Sequence, residues 1–149
     1  MAKIILAADH GGWACKNKAR HWLIALGHQV EDAGAFKLQA SDDFPDYALA
    51  AVKLWRREPT AKIICWCRSG AGMLVQLNRF AGIRASLALG AKHLTASVRD
   101  DHLNALVLAS DYQLFRQQQQ LIKVFLQTPY GEESKYYRRL HQIEEFAKL

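Results

Sequence analysis

Cysteine is scarce in this 149-residue chain: Cys15, Cys65 and Cys67 are the whole supply. Three thiols, an odd and sparse set, do not make a disulfide scaffold, and a chain of this length can bury a core without one. Long apolar runs are missing as well. Nothing approaches the roughly 20 residues needed to cross a bilayer, so we expect no membrane role. The opening residues MAKIILAADH lack the extended apolar region and small-residue cleavage site of a secretory leader, and read as a strand. Together these absences give the expectation of a cytoplasmic protein with reduced thiols. Also missing are an arginine-rich arm, an RNP-like aromatic stretch and zinc-finger spacing. The formal net charge is +6, but Lys16, Lys18, Arg20, Arg56, Arg57, Arg138 and Arg139 are scattered and interleaved with acids. Such a charge suits small anionic ligands as well as nucleic acid, and we expect no nucleic-acid partner.

What is present is alternation. Residues 3–8 form a short apolar run without helical spacing, closed by Asp9-His10-Gly11-Gly12, and read as a buried strand. Over residues 13–26, Ala19, Trp22, Leu23 and Leu26 recur at helical spacing, and Gly27 ends the helix. A second strand is expected at 28–33, a loop at 34–45 and a helix to about Trp55. A third strand covers 61–67, followed by a glycine turn and a helix through about Phe80. A fourth strand is expected at 83–89, with a helix from about Ala91. The fifth strand is 105–109 and the next helix 112–126, in which Gln117–Gln120 read as a solvated face. Thr128-Pro129-Tyr130-Gly131 breaks the chain before a terminal helix at 132–147. Strand–helix alternation with short connections predicts a single α/β domain spanning 1–149. Its core is a Rossmann-like, doubly wound, five-stranded parallel sheet with helices on both faces and a C-terminal helix. Ligands of such sheets bind at the carboxyl ends of the strands, which directs attention to Asp9-His10-Gly11, residues 42–47, 67–72 and 98–102.

Several of these residues could carry chemistry. Ser69-Gly70-Ala71-Gly72 joins a strand to a helix, where glycines admit a ligand close to the backbone and helix amides face it. It is neither a Walker A motif nor a dinucleotide fingerprint, and a plain tight turn would look the same. Cys65 and Cys67 share a strand face. Cys67 stands at the strand end beside a helix N-terminus expected to lower its thiol pKa, although buried strand cysteines are common. No further ligands accompany the pair, so no metal site is expected. Asp9 and His10 either cap the next helix or belong to a site. Arg138-Arg139 reads equally as a solvated surface.

Taken together, Ala8-Asp9-His10-Gly11-Gly12, Asp43-Phe44-Pro45, Cys67-x-Ser69-Gly70-x-Gly72, Asn78-Arg79-Phe80-Ala81-Gly82-Ile83-Arg84 and Arg138-Arg139-Leu140 resemble the type B ribose-5-phosphate isomerases. The galactose-6-phosphate isomerase subunits belong to the same superfamily. The resemblance runs the length of the chain and implies an aldose–ketose isomerase working through a cis-enediolate, without metal or organic cofactor. Its partner is a small sugar phosphate, and its dimers furnish each site from both subunits; a tetramer or a pairing with a paralogue is also open. By the same resemblance Cys67 is the base, and Ser69 with the Gly70–Gly72 amides stabilises the enediolate oxygen. Asp9 positions hydroxyls, His10 binds sugar or phosphate, and Lys135 and Arg139 hold the phosphate. A related branch places a glutamate where this chain has Met73.

The chain departs from the family pattern at several positions. Asp100-Asp101-His102 stands where the family has His-Asn-Asp with its ring-opening histidine. Asp111 replaces a phosphate-binding arginine, Phe44 a tyrosine, Lys135 an arginine and Arg68 a glycine. Arg68 and His102 are the candidates to compensate, beside Asp100 itself. Three readings are weighed: an active isomerase, a sugar-phosphate-binding paralogue or regulatory subunit that has lost turnover, and a nucleic-acid or nucleotide-binding module.

Overall fold

A computed structural model describes residues 1–148. Five strands, β1 (Lys3–Ala8), β2 (Gln29–Asp32), β3 (Lys62–Cys67), β4 (Ala85–Ser86) and β5 (Ala105–Ala109), form one sheet in the order β2-β1-β3-β5-β4. Every pairing is parallel. Six helices are described: α1 (Trp13–Ala25), α2 (Phe44–Arg57), α3 (Ala71–Leu77), α4 (Ala91–Asp101), α5 (Phe115–Gln127) and α6 (Ser134–Phe146). Alternate strand residues divide the core in two, because successive side chains in a strand point to opposite faces. Ile4, Leu6, Ile64, Trp66, Leu106 and Leu108 pack under α1, α4 and α5. Ile5, Ala7, Ile63, Cys65, Cys67 and Val107 pack under α2 and α3. The expected doubly wound sheet is the one observed.

The boundaries differ where side chains intervene. The fourth strand was expected over 83–89, yet only Ala85–Ser86 pairs with β5. Before it, the Arg84 N–H donates to the Asn104 side chain. After it, Leu87 turns inward onto Gly70, whose missing Cβ would lie 2.5 Å from Leu87 Cδ2. The helix expected from 112 starts at Phe115, because the Gln113 side chain takes the Ala109 N–H and Gln117 takes that of Leu114. The glutamine run is not wholly solvated either. Gln118 is fully buried and accepts the Trp66 indole N–H at 2.9 Å, a donor that the core would otherwise leave unpaired.

Among the described residues, no helix is long and apolar enough to cross a membrane.

Candidate active site

The carboxyl ends of β1 and β3 lie side by side, with Ala8 opposite Trp66 in register. Gly12 allows this closeness: a Cβ there would meet Trp66 Cβ at 2.4 Å and its backbone at 2.6 Å, so α1 can begin directly against β3. Asp9 and Cys67 both end up almost enclosed, at 6% and 5% exposure. The Asp9 carboxylate accepts the Gly12 N–H at 3.1 Å. Burial nonetheless raises its pKa, against the pull of that amide and of His10.

Cys67 faces α3 under the turn formed by residues 68–70. Gly70 adopts φ +79°, a conformation that side chains with a Cβ rarely take, and this aims the first amides of α3 back toward the thiol. Burial pushes the Cys67 thiol up, while the Met73, Gly70 and Gly72 amides draw it down and the Asp9 charge pushes it up again. The net direction is upward. The sequence-based expectation of a lowered thiol pKa is therefore reversed, because desolvation outweighs the helix amides. Cys65, two residues earlier on the same face, is completely buried and raised much further.

Around this pair stand the other residues of the carboxyl edge. The His10 N–H and ring Nδ1 both meet Asp42 Oδ1, at 2.9 and 2.6 Å. Burial would raise the Asp42 carboxyl, but His10 and the Tyr47 hydroxyl outweigh it and hold it below its ordinary range. A carboxylate only accepts, so Nδ1 carries the hydrogen and Nε2 is left to meet a ligand. The Ser69 hydroxyl accepts the Ala71 N–H at 3.3 Å. Phe44 lies over Gly72, where a Cβ would come within 2.8 Å of its ring. Arg68 is exposed and pairs with Asp111 at 3.3 Å, and the Asp111 N–H donates to the Arg68 carbonyl. Among the described residues, no group of three or more His, Cys, Asp or Glu is placed to hold a metal ion.

The remaining candidates are elsewhere. Residues 98–102 were expected at the carboxyl edge, but they close α4 just before β5 begins and so lie at the amino edge. The His102 and Leu103 carbonyls accept from Arg84 and from Lys62, the first residue of β3. His102 adopts φ 49°, is buried, stacks on Tyr130 with ring centroids 4.6 Å apart, and its Nε2 lies 2.8 Å from the Gly131 carbonyl. Asp100 pairs with Arg99 at 2.7 Å, and that hydrogen bond, the largest influence on it, keeps its carboxyl low. Lys135 pairs with Glu133, and Arg139 is exposed on α6, which packs on α4. Within one chain the candidate residues thus fall into two groups at opposite edges of the sheet.

A family model described as Ribose/Galactose Isomerase matches residues 4–143. The chain belongs to that family. It is 27% identical to ribose-5-phosphate isomerase B of Mycobacterium tuberculosis, over 98% of this chain and 90% of that protein. It is 29% identical to a probable ribose-5-phosphate isomerase B of Mycoplasma pneumoniae, over 94% and 91%. Among solved structures, a ribose 5-phosphate isomerase of Thermotoga maritima superposes with a TM-score of 0.91 at 31% identity, covering 97% of this chain and 98% of that one. Ribose-5-phosphate isomerase B of Mycoplasma genitalium, solved with bound ribulose-5-phosphate, gives 0.89 at 27% identity, with 98% and 96% covered.

Two residues around the candidate site of this ribose/galactose isomerase family member were not singled out from the sequence. Asp42 was included only as the start of the 42–47 stretch expected at the carboxyl edge, with no role of its own, because nothing local announces its bond to His10 across 32 residues. Lys16 looked like one of many scattered surface cations. It is instead fully buried, and its Nζ reaches Asp32 at 2.5 Å and the Ala35 carbonyl at 2.8 Å, bracing the segment that leads from β2 toward Asp42. A cation three and seven residues before Ala19 and Leu23, on the apolar face of the helix, was the available signal.

Proposed function

We propose that this chain is an aldose–ketose isomerase of open-chain sugar phosphates, with ribose 5-phosphate/ribulose 5-phosphate or a related sugar as its pair. The observation that carries the reading is the placement of Cys67, enclosed at the end of β3 beneath amides that converge on it. In this mechanism the Cys67 thiolate takes the proton from C2, the C1=C2 bond forms, and the charge collects on O1. Gly70–Gly72 amides and the Ser69 hydroxyl donate to that oxygen. The O2 hydrogen passes to O1, the carbonyl forms at C2, and Cys67 returns its proton to C1. The raised thiol pKa makes each thiolate a stronger base but leaves fewer of them at neutral pH, and general-base catalysis balances the two. Asp9 orients sugar hydroxyls, and His10 and Arg68 face the phosphate end.

Asp100 and His102 close α4 at the edge of the sheet opposite Cys67, and Lys135 and Arg139 stand on α6, which packs on α4. We assign them to the site of a second copy, in a homodimer that works in the cytoplasm. Support comes from the family resemblance and from the two-edged distribution itself.

A second reading, a sugar-phosphate-binding paralogue without turnover, is favoured by the Arg68–Asp111 pair, which spends a cation of the site on an internal acid. One assay separates the two. Purified protein is offered a panel of aldose phosphates and free aldoses, with isomerisation and thermal stabilisation followed together. We expect turnover on at least one of them, lost about a hundredfold or more in Cys67→Ala and kept in Cys65→Ala, as befits removal of a general base. Saturable stabilisation with no turnover selects the second reading, and an active Cys67→Ala overturns the mechanism.

A further inference from the structure

Beside the Cys67 turn lies a cavity of about 470 Å³, bounded by the carboxyl ends of β4 and β5 and the starts of α4 and α5. Its size is that of an ordinary small-ligand site. It adjoins the reacting centre on two sides: Ser69 lines it, and so does Ala109, the register partner of Cys67. Its wall is uncharged: among the described residues, no Lys, Arg, His, Asp or Glu lines it. The polar lining comes from Gln113, Gln117 and Gln120 beside Ser69, and the apolar lining includes Leu89 and Tyr112.

Two of the amides are fixed in direction. Gln113 Oε1 accepts the Ala109 N–H at 3.0 Å and Gln117 Oε1 accepts the Leu114 N–H at 2.8 Å. Since a backbone N–H can be met only by the oxygen end of an amide, each side chain keeps its NH₂ as the free group. Leu89 and Tyr112, 90% and 78% exposed, leave a large aliphatic and a large aromatic surface uncovered. Pre-set neutral donors next to an uncovered phenol ring suit the hydroxyls and the apolar face of a sugar ring. They do not suit a phosphate, which would lose its hydration without gaining a cation.

We infer that this cavity is a subsite for an uncharged sugar ring, contiguous with the Cys67 site, so that the protein accepts a neutral ring beyond the reacting sugar. The inference rests on the isomerase reading only for the identity of the neighbouring site.

The test is titration of the full-length protein with maltose, a neutral reducing disaccharide, and separately with inorganic phosphate, while the side-chain amide resonances of Gln113 and Gln117 are followed by NMR. We expect maltose to shift both saturably and phosphate to leave them in place. Gln117→Glu keeps the oxygen that meets Leu114 but removes the donor, and Tyr112→Ala removes the ring; each should weaken maltose binding about tenfold or more, the equivalent of one good polar contact. Amides silent to maltose, amides shifted by phosphate instead, or variants that bind like wild type would overturn the subsite. So would shifts that follow protein concentration alone, which would mean that a second copy fills the cavity. Isomerisation of sugar phosphates with silent amides defeats the subsite and leaves the isomerase reading intact. Maltose-shifted amides in a protein that isomerises nothing do the reverse.

Discussion

At Cys67 two physical effects oppose each other on one sulfur. Enclosure at the strand end disfavours the thiolate, the amides of α3 favour it, and enclosure wins with the help of the nearby Asp9 charge. The direction of the shift fixes the pH dependence. A group whose pKa is raised holds its proton to higher pH, so the fraction of active thiolate still grows where an ordinary thiol would already be ionised. We therefore expect kcat/KM for isomerisation to go on rising past about pH 8.5, the reference value for an unperturbed cysteine, with the Cys67→Ala rate subtracted at each pH. A profile that is flat above neutrality would mean that substrate or a neighbouring group ionises the thiol, or that Cys67 is not the base. His10 differs in kind: its orientation is set by Asp42, so the ligand-binding role proposed for it would depend on a loop residue 32 positions away.

At the level of elements, the site depends on how β3 and α5 are joined beneath it. Trp66 precedes Cys67 and faces the opposite side of the sheet, where its indole N–H is met by Gln118. The Gln118 NH₂ in turn donates to the Gln113 carbonyl at 3.0 Å, so one side chain ties the strand to the turn that opens α5. Replacing Gln118 by leucine keeps much of the volume but leaves the buried indole donor unpaired. We expect Gln118→Leu to lose about 1–3 kcal/mol in urea unfolding, the usual penalty for a buried unsatisfied donor. A loss within error would mean that the indole finds another acceptor or water. The same substitution should also disturb the Gln113 amide, since its backbone is released from one of its restraints.

For the whole molecule, the distribution of candidate residues is itself a statement about assembly. Asp9, His10, Cys67, Arg68 and Ser69 stand at the carboxyl edge of the sheet, and Asp100, His102, Lys135 and Arg139 at the amino edge or on α6. If each site draws on both edges, two defective chains can repair one another. Cys67→Ala and Arg139→Ala proteins, each inactive alone, should regain activity when mixed and allowed to exchange subunits, up to about a quarter of wild-type sites in a two-fold dimer. Sedimentation should show a dimer at micromolar concentration. Two inactive variants that stay inactive after demonstrated exchange would show that each chain carries a self-contained site.

The local pattern of the sequence was enough to determine the alternation of strands and helices, the parallel sheet, and the glycine turn after Cys67, since all three follow from periodicity and backbone stereochemistry within a few residues. The sharing of a face by Cys65 and Cys67 followed from the two-residue repeat of a strand. Tertiary structure decided the rest. It shortened β4 because Leu87 turns onto Gly70, buried Gln118 because Trp66 needs an acceptor, and buried Lys16 because Asp32 and Ala35 surround its amine. It also reversed the expected shift of the Cys67 thiol and sent residues 98–102 to the edge opposite the one expected. In each case the deciding quantity was desolvation or a polar partner supplied from far along the chain, and neither is written in the residues next door.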